Sequence, residues 1–100
     1  MTIKTKAWDP ADHLGSPKAI AEYLSAAFED GDPKLIAAAL GDVARARGMA
    51  DVARETGLSR ESLYRALSAD GNPTLSTMLA VGKALGVSFA AKPTEPPAPL

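Results

Sequence analysis

The chain has 100 residues, of which 46% are hydrophobic, so we expect one domain with a modest core and no separate catalytic domain. It has no cysteine and a single histidine, His13, which excludes disulfides and thiolate metal sites and leaves too few ligands for a transition metal. No apolar run reaches membrane-spanning length, the first residues do not resemble a signal peptide, and the net charge is only -1. These features favour a cytoplasmic protein that does not coat nucleic acid indiscriminately.

The charges are unevenly distributed along the chain. All five arginines fall within residues 45–65, where three acidic residues leave a local balance of +2. Residues 9–44 carry seven acidic residues against two lysines, a balance of -5. Arginine is therefore concentrated in one segment, as expected where bidentate hydrogen bonds are needed.

The first half of the chain predicts two helices. Residues 2–8 alternate apolar or branched side chains with polar ones, which allows a short strand. Ser16 and Asp32 are each followed by proline, and this pairing of an N-cap residue with proline at the first helical position predicts a helix start at both places. Gly31 and Gly48 predict the two helix ends, with Gly48 in the left-handed cap conformation.

The second half predicts three shorter helices. The third ends at Gly57, the fourth begins after Ser59 and ends at Gly71, and the fifth begins after Thr74 and ends at Gly86. We expect one face of the fifth helix to be buried, namely Leu75, Met78, Leu79, Gly82 and Leu85.

These elements predict an all-α fold of five helices. Residues 1–15 are interpreted as an N-terminal extension and residues 16–88 as the domain. Residues 87–89 allow a second short strand, and residues 89–100, rich in proline, are interpreted as a disordered tail.

Residues 49–69 have the pattern of a helix-turn-helix. Ala53 is small where two helices would cross closely, Gly57 suits a turn with positive φ, and Leu58 and Leu63 are spaced to fill a shared core. With Leu63 pointing inward, a rotation of 100° per residue turns Glu61, Tyr64, Arg65 and Ser68 away from the core and leaves Arg60 at the N-terminal tip. In such motifs the second helix enters the major groove of DNA, where arginine can bind guanine.

The sequence resembles the probable addiction module antidote proteins, which are related to HigA and to the Xre or lambda-repressor-like domains. The resemblance is carried by residues 58–68 (LSRESLYRALS) and 71–74 (GNPT), and it extends through Trp8-Asp9, Tyr23-Leu24, residues 31–33 (GDP), residues 44–49 (ARARGM) and Leu85-Gly86. It covers most of the chain, and the segment after Phe89 matches no motif of the family.

The resemblance implies a five-helix lambda-repressor-like helix-turn-helix domain that acts as an antitoxin. Such a protein neutralises a RelE/ParE-like toxin and represses its own operon by binding duplex operator DNA, and it is neither an enzyme nor a cofactor-binding protein. The base-reading residues of the family map onto Arg60, Glu61 and Arg65. The full set of candidate DNA-contacting residues is Ser59, Arg60, Glu61, Ser62, Tyr64, Arg65, Ser68 and Asn72. Because one small module makes few base contacts, we expect a homodimer.

Several alternatives remain open at this stage. The motif could be an ordinary helical hairpin with solvated arginines, and the protein could be a stand-alone Xre-type regulator without a toxin, or a protein-interaction module without DNA binding. Trp8 fits either an interface anchor or a small local core, and His13 fits a loop better than a catalytic base. The acidic stretch within residues 9–42 fits either a solvated surface or a contact for a basic toxin.

Overall fold

The computed structural model describes residues 14–94, which form five α-helices and no strand. The helices are α1 (Pro17–Asp30), α2 (Pro33–Arg47), α3 (Met49–Thr56), α4 (Arg60–Ala66) and α5 (Leu75–Leu85). The predicted five-helix all-α class is therefore confirmed. The predicted strand at residues 2–8 lies outside the described residues, as do Trp8 and His13.

The helices begin where the cap residues predict. The side chains of Ser16, Asp32, Ser59 and Thr74 each accept a hydrogen bond from a backbone N–H in the first turn of α1, α2, α4 and α5, respectively. Each bond satisfies a donor that the helix itself leaves unpaired, which is why the start of a helix can be read from the sequence.

The helix ends agree less well with the predictions. Gly48 has positive φ as predicted, but its ψ of 110° lies outside the left-handed helical region. It joins α2 directly to α3, so a complete left-handed cap has no room to form. The prediction that α4 ends at Gly71 was wrong: α4 ends at Ala66, and a turn closed by the Gly71 N–H and the Ser68 carbonyl follows it.

The core is centred on α2, which packs against each of the other four helices. Six large side chains are essentially inaccessible to solvent: Leu40 and Val43 of α2, Val52 of α3, Leu63 of α4, and Val81 and Leu85 of α5. No side chain of the described region that is polar or charged is fully buried. The helices are therefore held together mainly by the removal of apolar surface from water.

Part of the predicted buried face of α5 was wrong. Leu75 and Leu79 are 70% and 51% exposed, and the buried residues are Val81, Gly82, Ala84 and Leu85. The helix is apolar around much of its circumference, but α2 and α3 cover only one side of it. Spacing alone could not show which apolar residues would remain outside.

Residues 87–94, here called the C-terminal strap, follow α5 and form no strand. The short strand predicted at residues 87–89 is therefore wrong, since no neighbouring strand of the described region is available to pair with it. Phe89 packs against the core and makes an edge-to-face contact with Phe28 of α1, with ring centroids 5.5 Å apart. Apolar packing therefore continues one residue beyond the predicted domain boundary at residue 88.

Candidate nucleic-acid interface

A three-residue turn, residues 57–59, joins α3 to α4. Gly57 adopts φ 77° and ψ 9°, the left-handed conformation that the sequence predicted for this position. The Thr56 hydroxyl donates to the Val52 carbonyl at 2.8 Å and accepts a bond from the Leu58 N–H at 3.3 Å. These contacts fix the direction in which the chain enters α4.

One side of α4 is anchored in the core and the other faces solvent. Leu63 is fully buried, and Leu67, directly after the helix, is 4% exposed. Glu61, Tyr64 and Arg65 are exposed, as expected for side chains that point away from Leu63, and Arg60 is exposed at the N-terminal tip of the helix. The helix therefore presents two arginines and a half-exposed tyrosine on an accessible surface.

The end of α4 lies unusually close to α2. A β-carbon placed on Gly41 would be 2.1 Å from the carbonyl oxygen of Leu67, which is far inside van der Waals contact. Only glycine lets the two backbones approach to this distance. This close approach fixes the position of the C-terminal end of α4 relative to α2.

The five arginines divide into two groups. Arg45 forms an ion pair with Asp42, Arg54 with Asp51, and Arg47 with Glu55 at 3.0 Å. Arg47 also donates to the carbonyl oxygen of Ala84, so it connects α2 with α3 and with the end of α5.

Arg60 and Arg65 belong to the second group. Within residues 14–94 neither forms an ion pair or a side-chain hydrogen bond, and both lie on α4. Their guanidinium groups are therefore available to an external acceptor, whereas the other three arginines already have protein partners.

The remaining candidate residues lie on or beside the same helix. Ser59 caps α4 and donates to the Ser62 hydroxyl at 2.8 Å, while Ser68 donates to the Arg65 carbonyl at 3.1 Å. Asn72 is exposed in the loop before α5. All eight predicted residues thus lie within residues 59–72, although the hydroxyl groups of three of them already form hydrogen bonds within the protein.

Sequence reasoning missed the internal roles of some residues near this surface. Asp42 accepts hydrogen bonds from both the Tyr23 hydroxyl and Arg45, and so joins α1 to α2. The Asp42–Arg45 and Asp51–Arg54 spacings of three residues were visible signals for local ion pairs. The contacts of Tyr23 with Asp42 and of Arg47 with Ala84 join distant positions and leave no such signal.

Two further observations concern other kinds of site. Across residues 14–94, no group of three histidine, aspartate or glutamate side chains is placed to hold a metal ion. None of the five helices is both long enough and apolar enough to cross a lipid bilayer.

The fold and this surface define a small all-helical protein in which a three-residue turn joins α3 to α4 and in which two arginines of α4 have no partner among residues 14–94. The chain belongs to the family of probable addiction module antidote proteins, whose family model matches residues 4–93. Membership implies a toxin partner, since an antidote acts against a toxin. The chain is also similar to an uncharacterized protein of Haemophilus influenzae (strain Rd), with 48% identity over 89 residues, which cover 89% of this chain and 92% of that protein. No solved structure matches the chain.

Proposed function

We propose that this protein is the antitoxin of a type II toxin–antitoxin module. It neutralises a RelE/ParE-like toxin in the cytoplasm and represses its own operon by sequence-specific binding to operator DNA. Within the antidote family we assign it to the HigA-like proteins with an Xre-type, lambda-repressor-like DNA-binding domain. We assign it no catalytic activity.

The observation that carries the DNA-binding proposal is the pair of free arginines on α4. Arg60 and Arg65 are separated by five residues, or about 7.5 Å along a helix axis, which corresponds to roughly two base-pair steps. Bidentate pairing with guanine would use the guanidinium groups that the protein leaves unpaired. Glu61 and Tyr64 lie on the same exposed surface and are proposed as flanking contacts, together with Ser59, Ser62, Ser68 and Asn72.

A test of this proposal compares Arg65→Ala with Arg45→Ala. Both variants remove one positive charge, but Arg45 is paired with Asp42 on α2. We expect Arg65→Ala to weaken operator binding by about 1–3 kcal/mol per half-site and to relax selectivity at one position. The melting temperature should hardly change, because Arg65 is exposed and makes no side-chain bond within the described residues.

The assay is a titration of promoter DNA and scrambled DNA at several salt concentrations. If Arg65 contacts only phosphate, its loss weakens binding to both sequences equally and lowers the salt slope by about one per contact. Unchanged binding of Arg65→Ala to both DNAs, or an equal loss in Arg45→Ala, would remove α4 from the proposed interface.

We propose that the protein binds DNA as a homodimer through α5. Leu75 and Leu79 are one helical turn apart and are the two most exposed large apolar side chains of the described region. Lys83 is the sole charged residue of α5, so two copies can bring this face together with little charge repulsion. Two-fold symmetry would place two α4 helices about 34 Å apart, one turn of the double helix.

The dimer proposal is tested with Leu79→Glu. A carboxylate at this exposed position leaves the core intact but must be desolvated in the dimer. We expect light scattering to show a dimer for the native protein and a monomer for the variant, with weaker binding to a two-half-site operator. A dimer that survives Leu79→Glu would place the interface elsewhere.

The toxin proposal is tested by co-expression with the adjacent reading frame, which we expect to encode a basic protein of about one hundred residues. Co-purification and relief of growth inhibition support an antitoxin. If the two proteins do not co-purify and growth inhibition is not relieved, while operator binding is intact, the protein is a stand-alone regulator.

A further inference from the structure

A groove lies along the outer side of α1, between this helix and the C-terminal strap. Its volume is about 800 Å³, and its walls are mainly apolar. Leu24 and Phe28 contribute from α1, and Val87 and Phe89 contribute from the strap. Phe28 is 38% exposed even with Phe89 packed against it, so the groove offers accessible apolar surface.

The strap is held to the domain by contacts of Val87, Phe89 and Lys92, which also line this groove. The Val87 N–H donates to the Gly82 carbonyl at 2.9 Å, and the Phe89 ring lies against Gly82 so closely that a β-carbon there would be 2.7 Å from it. Lys92 forms an ion pair with Glu29 at 2.8 Å. The groove therefore has two defined walls, one helical and one non-helical.

The α1 surface beside the groove is acidic, and Glu22 lies in an adjoining hollow that shares Ala21, Ser25 and Glu29 with the groove. Residues 17–32 carry Glu22, Glu29, Asp30 and Asp32 against a single lysine, Lys18. Only Glu29 of these four forms an ion pair within the described residues. An apolar groove next to an acidic helix surface favours an occupant that combines apolar side chains with lysine or arginine.

We propose that this groove is the toxin-binding surface, occupied by a basic amphipathic segment of the toxin. The inference rests on the proposed antitoxin function and specifies where that function resides. A second copy of this chain is a poorer occupant, because it would bring two acidic α1 faces together.

None of the residues that line the groove belongs to α4. α1 packs mainly against α2, whereas the free arginines lie on α4. A toxin bound along α1 therefore leaves the α4 surface open. We expect one protein dimer to hold toxin and operator DNA at the same time.

The experiment measures binding of the full chain to the protein encoded by the adjacent reading frame. Two variants test the groove: Phe28→Glu places a charge on its apolar wall, and Glu22→Lys reverses a charge in the adjoining hollow. Glu22 is exposed and has no described side-chain bond, so Glu22→Lys should fold normally even if Phe28→Glu does not. Leu35→Glu is the matched control, since Leu35 is 45% exposed on α2 and does not line the groove.

We expect each groove variant to bind the toxin at least about tenfold more weakly than the native chain, with operator affinity unchanged, and Leu35→Glu to bind normally. If the native chain and both groove variants bind the toxin equally well, the toxin binds elsewhere on the protein, and the proposed antitoxin function is still supported. An equal loss of toxin affinity in Leu35→Glu would also refute the groove as the toxin-binding surface. If the native chain does not bind the toxin at all, the antitoxin function fails and the groove proposal fails with it.

Discussion

Gly41→Ala tests the close packing that positions α4. The new methyl group would lie 2.1 Å from the carbonyl oxygen of Leu67 and 3.2 Å from its carbonyl carbon. Carbon and oxygen normally approach to about 3.3 Å or more, so one backbone must move by more than about 1 Å. Because Gly41 and Leu67 both belong to the packed interior, neither backbone can move without disturbing its neighbours.

Two opposing effects determine how much Gly41→Ala changes the free energy of unfolding. Overpacking of a core costs about 1–3 kcal/mol, and an obstacle made of backbone places this case near the upper end. Replacing glycine by alanine inside a helix stabilises it by about 1 kcal/mol. The net loss is about 2 kcal/mol, which lowers the melting temperature of a domain of this size by roughly 8–16 °C.

The assay is thermal unfolding followed by circular dichroism, with Gly82→Ala as the matched control. Gly82 is also a buried helical glycine, but its nearest obstacle is the Phe89 ring, at 2.7 Å, which can rotate away. We expect a clearly smaller loss in Gly82→Ala and weaker operator binding only in Gly41→Ala. A melting temperature of Gly41→Ala at or above that of the native chain would refute the close approach of α2 and α4.

Two further variants and one titration test other parts of the structure. Gly57→Val should destabilise the domain by about 1–3 kcal/mol through backbone strain at φ 77°, since no atom lies within 4 Å of an added β-carbon that could account for the loss by crowding. An unchanged urea midpoint would contradict this turn. The hydrogen bond from Lys92, together with its positive charge, lowers the pKa of Glu29 below its usual value of 4.5. The contribution of this contact to stability is therefore present above that pH and is lost as the pH falls through the lowered pKa. A carboxyl NMR titration should show the Glu29 pKa rising in Lys92→Ala, and an identical pKa in both proteins would exclude the ion pair in solution.

The starts of the helices and the turn between α3 and α4 could be predicted from the sequence because they depend on short-range chemistry. Ser59 caps α4 through a backbone group three residues away, and Gly57 supplies a conformation that other residues adopt only with strain. With Leu63 taken as the inward reference, the outward direction of Arg65 follows from helical periodicity. These features need no knowledge of which helices become neighbours.

The tertiary structure alone decided which groups meet across long distances in the chain. It paired Arg47 with the end of α5 and left Arg65 without a partner among residues 14–94, although both belong to the same arginine-rich segment. It left Leu79 exposed and packed Phe89 onto α1, which together reverse what composition and periodicity indicated. The physical reason is that burial and ion pairing depend on the limited area that each helix can cover on another, and that area is set by the assembled fold.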